Sequence, residues 1–186
     1  MLTYRGYMQN HSRPFKSVLP AFLTSLLFII SLPIISFSQE YWSPTTSIPA
    51  TASVLRLATD SQDRVFACVE GVGVYVSANG GNSWTGTPFN GYNLRDVIVT
   101  PSNDVFIAAG NQVFRSSDQG NTWDNVSPGL PGVDVYSLGV DADGRLFAGL
   151  FGARIYRSLD NGTTWVALTN GLSDLTVYVS MAFKSA

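Results

Sequence analysis

Three eight-residue strings constrain this chain more than anything else in it: SANGGNSW at 77–84, SSDQGNTW at 116–123 and SLDNGTTW at 158–165. They share the pattern Ser-x-Asp-x-Gly-x-Thr-Trp, with Asn79 and Ser83 as conservative departures in the first copy. Counted from Trp42, successive tryptophans lie 42, 39 and 42 residues apart, within the range of four-stranded propeller blades. Each interval repeats one order of segments. A polar stretch leads to an alternating apolar run (54–59, 94–99, 135–140), then a turn (DSQD at 60–63, PSND at 101–104, DADG at 141–144). A second run follows (65–69, 105–109, 146–150), then a Gly-bearing loop and a third run (73–77, 112–116, 154–158). The eight-residue string makes the next turn and its Trp opens a fourth strand. Short period-2 segments between turn residues predict an all-β meander, with no sustained helical period anywhere.

The string has a physical logic. Asn79, Asp118 and Asp160 place a side-chain acceptor where it can take backbone N–H groups two or more residues on. Gly81, Gly120 and Gly162 supply a positive-φ position without steric cost. Ser77, Ser116 and Ser158 open the three strings, and Trp84, Trp123 and Trp165 end them with a ring placed to pack between neighbouring sheets. Each buried ring contributes at most ~4–5 kcal/mol by area before entropy is deducted.

With these residues the chain resembles the Asp-box, or bacterial neuraminidase, repeat family. That family spans sialidases, endo-glucan hydrolases, sortilin-type receptors and photosystem II assembly-factor propellers. The resemblance covers residues 42 to about 183. It implies β-propeller blades of four antiparallel strands, with the Asp box as a peripheral hairpin away from the ligand. The repeats predict blades at about 53–86, 93–126 and 134–168. Residues 176–183 (TVYVSMAF) match 134–141 (DVYSLGVD), each run beginning 11 residues after a Trp, and are expected to be the first strand of a fourth blade. Residues 41–45 look like a lone outer strand of the kind that closes a ring. Three blades and one strand form an incomplete ring, so the expectation is a fragment of a larger propeller.

The N-terminus points to export. Arg5, Arg13 and Lys16 precede an apolar run over 18–37, and Ser36 and Ser38 are the small residues before a cleavage after Ser38. Residues 1–38 are therefore expected to be a signal peptide and 39–186 the propeller; an uncleaved anchor would be the only membrane association. The location expected is secreted, periplasmic or cell-surface. All 13 acids but only eight basic residues follow Ser38, a net charge of −5, which argues against a nucleic-acid partner.

Function is less legible. The single histidine, His11, lies in the signal segment, which removes Ser-His-Asp and Cys-His catalysis and imidazole zinc sites from residues 39–186. Cys68 is alone, so no intrachain disulfide can form, and it is expected to be a structural thiol. No metal and no cofactor is expected: Asp141-Ala142-Asp143-Gly144 opens like a calcium loop, but Gly152 stands where an EF-hand needs its acid. The carboxylates that could serve a glycosidase are Asp60, Asp63, Glu70, Asp96, Asp104, Asp134, Asp141 and Asp143, and most fall in turns that use Asp for backbone reasons. The sialidase Arg-Ile-Pro motif has Ser47-Ile48-Pro49 as its nearest match. First strands line the channel in propellers, so Arg56, Arg95, Asp96, Tyr136 and Tyr178 are the candidate binding residues. The expectation is a non-catalytic module binding an extracellular protein or glycan. Its alternatives are a sialidase- or glucanase-like fragment and the sensor propeller of a receptor kinase.

Overall fold

A computed structural model describes residues 47–49, 51–90, 93–152 and 155–170, all within the compact unit Trp42–Ala186. The expected signal segment at 1–38, the outer strand at 41–45, the fourth-blade strand at 176–183 and Tyr178 lie outside the described residues.

The described residues form twelve strands and no helix. The first sheet holds β1 (Val54–Thr59), β2 (Val65–Val69), β3 (Gly73–Ser77) and β4 (Thr85–Asn90). The second holds β5 (Leu94–Val99), β6 (Val105–Ala109), β7 (Gln112–Ser116) and β8 (Asp124–Asn125). The third holds β9 (Val135–Val140), β10 (Leu146–Leu150), β11 (Ile155–Ser158) and β12 (Val166–Leu168). Each is an antiparallel meander in sequence order, and the first strands β1, β5 and β9 lie side by side. The fold is all-β: three four-stranded blades of an incomplete β-propeller.

Blades pack face to face, and β6 of the middle blade is buried on both of its faces. Register places Phe106, Ala108 and Val113 on one face of the middle blade, and Val97, Val105, Ile107 and Phe114 on the other. The second set joins Phe66, Cys68 and Val74 of the first blade in one core. The first set joins Val135, Leu138, Leu146 and Ala148 of the third blade in another. Cys68 is fully buried, its thiol pushed up to about 12 by desolvation and then by the nearby Asp96 carboxylate, which makes it inert.

The turns repeat as closely as the strands. Asp60 accepts from the Gln62 and Arg64 N–H groups and from Arg64 Nε at 2.6 Å; Asp141 does the same for Asp143, Arg145 and Arg145 Nε. The calcium-loop resemblance at 141–144 is thus a hairpin turn whose carboxylate is occupied. In the middle blade Thr100 takes the aspartate's place, its Oγ1 accepting from the Asp104 N–H, and Asp104 pairs with Arg115 at 2.8 Å.

Candidate functional site

In a meander the β1–β2 and β3–β4 turns fall at one end of the blade and the β2–β3 loop at the other. The three Ser-x-Asx-x-Gly-x-Ser/Thr-Trp boxes join the third and fourth strands of their blades, so they share one rim with Asp60, Asp104 and Asp141. Their geometry is the same three times. The serine hydroxyl donates to the Asx side chain (2.8–2.9 Å) and accepts from the glycine N–H (2.7–2.8 Å). The Asx oxygen then accepts from the N–H four residues on, at 2.8–2.9 Å. Both central residues of each turn have positive φ, as a type I′ turn demands: Gly80 and Gly81, Gln119 and Gly120, Asn161 and Gly162. Asp118 is lowered to about 2, chiefly by the Thr122 hydroxyl and N–H, and Asp160 is lowered for the same reason by Thr164. Each of these carboxylates already takes three hydrogen bonds from its own turn.

The opposite rim is different, and a repeated irregularity makes it so. Each first strand carries a bulge at the same place: pairing skips Leu55, Arg95 and Tyr136. A bulge re-aims a side chain and leaves neighbouring ladder groups unpaired. The re-aimed residues meet. The Arg95 guanidinium lies 4.8 Å above the Tyr136 ring and 3.8 Å from the Asp134 carboxylate. Tyr136 in turn sits 5.7 Å from Phe151, at 36° between ring planes, and Phe151 is 55% exposed. Phe151 opens the β10–β11 loop, where its N–H is held by the Asp134 carbonyl at 2.9 Å. The result is an aromatic ledge with a compensated cation at its edge.

The residue after each bulge does another job. Asp96 is buried, and its two oxygens accept from Val97 N–H (2.9 Å) and, across the blade boundary, from Leu138 N–H (2.8 Å). Arg56 of the first blade approaches it at 3.7 Å, so one carboxylate touches all three blades. Burial raises Asp96 above the usual carboxylate value, against the lowering effect of these two N–H groups and of Arg56. Of the five candidates, the structure joins Arg95 with Tyr136 and Arg56 with Asp96. Asp134 and Phe151, which complete the ledge, were not among them. The sequence did carry a sign of Phe151: an aromatic stands where the sister loops have Glu70 and Gly110.

Deeper along the first strands the wall turns apolar. An open groove of about 320 Å³ is lined by residues 57–59, 97–99 and 138–140, among which only Thr59 is polar. A second concavity of about 400 Å³ separates the first blade's outer strand from the turn at 116–123. There Phe89 meets Phe114 and Trp123 edge-on, and no ionisable group lines it. Among the described residues no cluster of His, Cys, Asp and Glu could hold a metal ion.

No protein-family model and no curated relative matches the chain. Solved structures do resemble it. An ancestral GH74 enzyme is similar over 63% of this chain and 18% of its own, at 21% identity and a TM-score of 0.54. YCF48 bound to D1 peptide is similar over 65% and 41%, at 19% identity and a TM-score of 0.54. The extracellular domain assigned to a one-component system of B. thetaiotaomicron is similar over 68% and 18%, at 12% identity and a TM-score of 0.56. These neighbours are β-propeller proteins, and the chain spans well under half the length of each.

Proposed function

We propose that this chain is an exported, non-catalytic propeller module of the Asp-box type that binds a protein or glycan on its bulge-bearing rim. The observation that carries the reading is the ledge of Arg95, Tyr136 and Phe151, brought together from two blades by equivalent bulges. An exposed aromatic face beside a cation offers stacking area and hydrogen bonding at low entropic cost. The ion pairs support a neutral or mixed ligand over an acidic one, since Arg95 and Arg56 each have a carboxylate within 4 Å. Arg56 and Asp96 brace the rim, and Tyr178, which matches Tyr136 in sequence, is a further candidate for binding. The thrice-repeated serine–Asx–glycine turn supports the Asp-box assignment. The modest share of the neighbours' lengths supports a place within a longer propeller.

A hydrolase reading draws on Asp96, a buried carboxylate raised toward general-acid behaviour. Against it, both oxygens already accept backbone N–H groups. Turnover of fluorogenic sialosides and β-glucans, run beside a glycan array and a peptide array, separates the readings. We expect saturable binding without turnover, weakened about tenfold by Tyr136→Ala, a loss of ~1.4 kcal/mol. Turnover that disappears in Asp96→Ala would overturn the binding reading.

A further inference from the structure

We propose that the concavity between the first blade's outer strand and the turn at 116–123 is a second ligand site, built for an uncharged sugar. It is formed by outer-strand and turn residues, none of them shared with the ledge of Arg95, Tyr136 and Phe151. Its origin is a difference between the two blade boundaries. A Cβ on Gly120 would sit 3.0 Å from Thr87 Cγ2, and one on Gly162 would sit 3.0 Å from Val126 Cγ2. Thr87 and Val126 therefore hold the same place, each three residues after its blade's box tryptophan. At the second boundary the chain closes. Trp165 Nε1 donates to the Val126 carbonyl at 2.8 Å, a Cβ on Gly129 would lie 2.8 Å from the Trp165 carbonyl oxygen, and Trp165 is 5% exposed. At the first boundary Phe89 stands in place of Pro128, and Asn90 in place of Gly129. Phe89 is buried, its ring edge-on to Trp123 at 5.4 Å. Trp123 Nε1 bonds its own Gly120 carbonyl at 3.1 Å, and Trp123 stays half-buried beside about 400 Å³ of open space.

The lining sets the chemistry of the ligand. Phe89, Phe114 and Trp123 supply apolar surface, with Trp123 the most accessible of the three. Asn90, Asn121 and Thr122 are exposed at the edge, and no lining residue is ionisable. Two of these polar groups are fixed as acceptors. Asn121 Nδ2 donates to the Asp118 carbonyl at 2.6 Å, which leaves its Oδ1 for a ligand. Thr122 Oγ1 spends its proton on Asp118 Oδ2 at 2.6 Å, which leaves its lone pairs. A fitting ligand brings neutral donors at adjacent positions and an apolar face for the indole. A pyranose ring has both, in its neighbouring hydroxyls and its C–H face. A proline-rich peptide has the apolar face without the donors, and an acidic sugar meets no cation among the lining residues.

Nuclear magnetic resonance of the indole N–H groups in the full chain tests this, because the ledge contains no tryptophan. The probes are cellotetraose, mannotetraose and xylotetraose, with pentaproline and tetragalacturonate as the rival chemistries. At least one neutral tetrasaccharide is expected to move the Trp123 indole signal saturably, while those of Trp84 and Trp165 hold still. Asn90→Ala should weaken that binding about fivefold, the loss of one neutral hydrogen bond. Asn90→Trp, which fills the space from an exposed position, should abolish it. Unshifted Trp84 and Trp165 signals in both variants report intact blades. No saturable shift with any of the three neutral sugars would overturn the proposal. So would a shift indifferent to both Asn90 variants, or tighter binding of pentaproline or tetragalacturonate.

Discussion

A carboxylate buried at the junction of three blades is costly unless its lone pairs are used, and Asp96 uses them on two backbone N–H groups, one in its own strand and one in the next blade. Asp96→Ala should therefore destabilise the fold by about 2–3 kcal/mol in urea unfolding, most of it from the orphaned Val97 and Leu138 N–H groups. The pH dependence has a sign. Asp96 binds its proton more tightly folded than unfolded, so its contribution is greatest below the unfolded value and falls as pH rises toward the folded one. Asp118 runs the other way: lowered to about 2, its contribution is present above the ordinary value of 3.8 and is lost as pH falls toward 2. Asp118→Asn should keep the turn, because Asn79 already makes it in the first box. Denaturation midpoints measured across that interval should then fall less steeply with acid than in the unaltered chain. A steeper fall would show that the Asp118 carboxylate is not what the turn reads. The sequence placed Asp118 in its role because all its partners lie within six residues. It placed Asp96 only on a first strand, because Leu138 is 42 residues away.

At the scale of the element, the repeated serine–Asx–glycine box is a turn whose glycine is also a contact. Gly162 has φ +82°, and a Cβ there would sit 3.0 Å from Val126 Cγ2 and 3.4 Å from Phe106. Gly80 has φ +66° and open space around it. Gly80→Ala should cost about 1 kcal/mol of backbone strain, and Gly162→Ala about 3 kcal/mol as overpacking adds to strain. Equal losses would mean the box does not dock on the preceding blade. The tryptophans divide in the same way. Trp84 and Trp123 donate to their own box glycine carbonyl, whereas Trp165 donates to Val126 of the neighbouring blade at 2.8 Å. Trp165→Phe should cost about 1 kcal/mol more than Trp123→Phe, since it leaves an inter-blade acceptor unsatisfied. The repeat made the three boxes look alike; which indole crosses to its neighbour depends on how closely two sheets approach. Strand bulges were hidden for a related reason. A period-2 pattern does not mark where one strand gains a residue on its partner, so Arg95 and Tyr136 were legible as first-strand residues while their meeting was not.

At the scale of the molecule, stability is distributed between neighbours, as in other repeat folds. One core joins the first two blades, the other joins the last two described, and the middle blade supplies residues to both. Asp96 and the Val135 N–H to Gly110 carbonyl bond, at 2.8 Å, tie the second boundary as well. Damage to the middle blade should therefore spread in both directions, and damage to an end blade in one. Ile107→Ala removes a fully buried side chain from the first core, at a cost of about 2–5 kcal/mol. It should lower amide protection in β1–β4 and β5–β8 together, and in β9–β12 less. Phe66→Ala lies in the same core but on the first blade alone, and should leave β9–β12 nearly unchanged. Hydrogen exchange resolved by strand distinguishes these outcomes from a single cooperative unit, in which both substitutions would lower all twelve strands equally. That second result would mean the boundary bonds couple the blades more tightly than their separate cores imply, because an opening confined to one end would then cost as much as opening the whole.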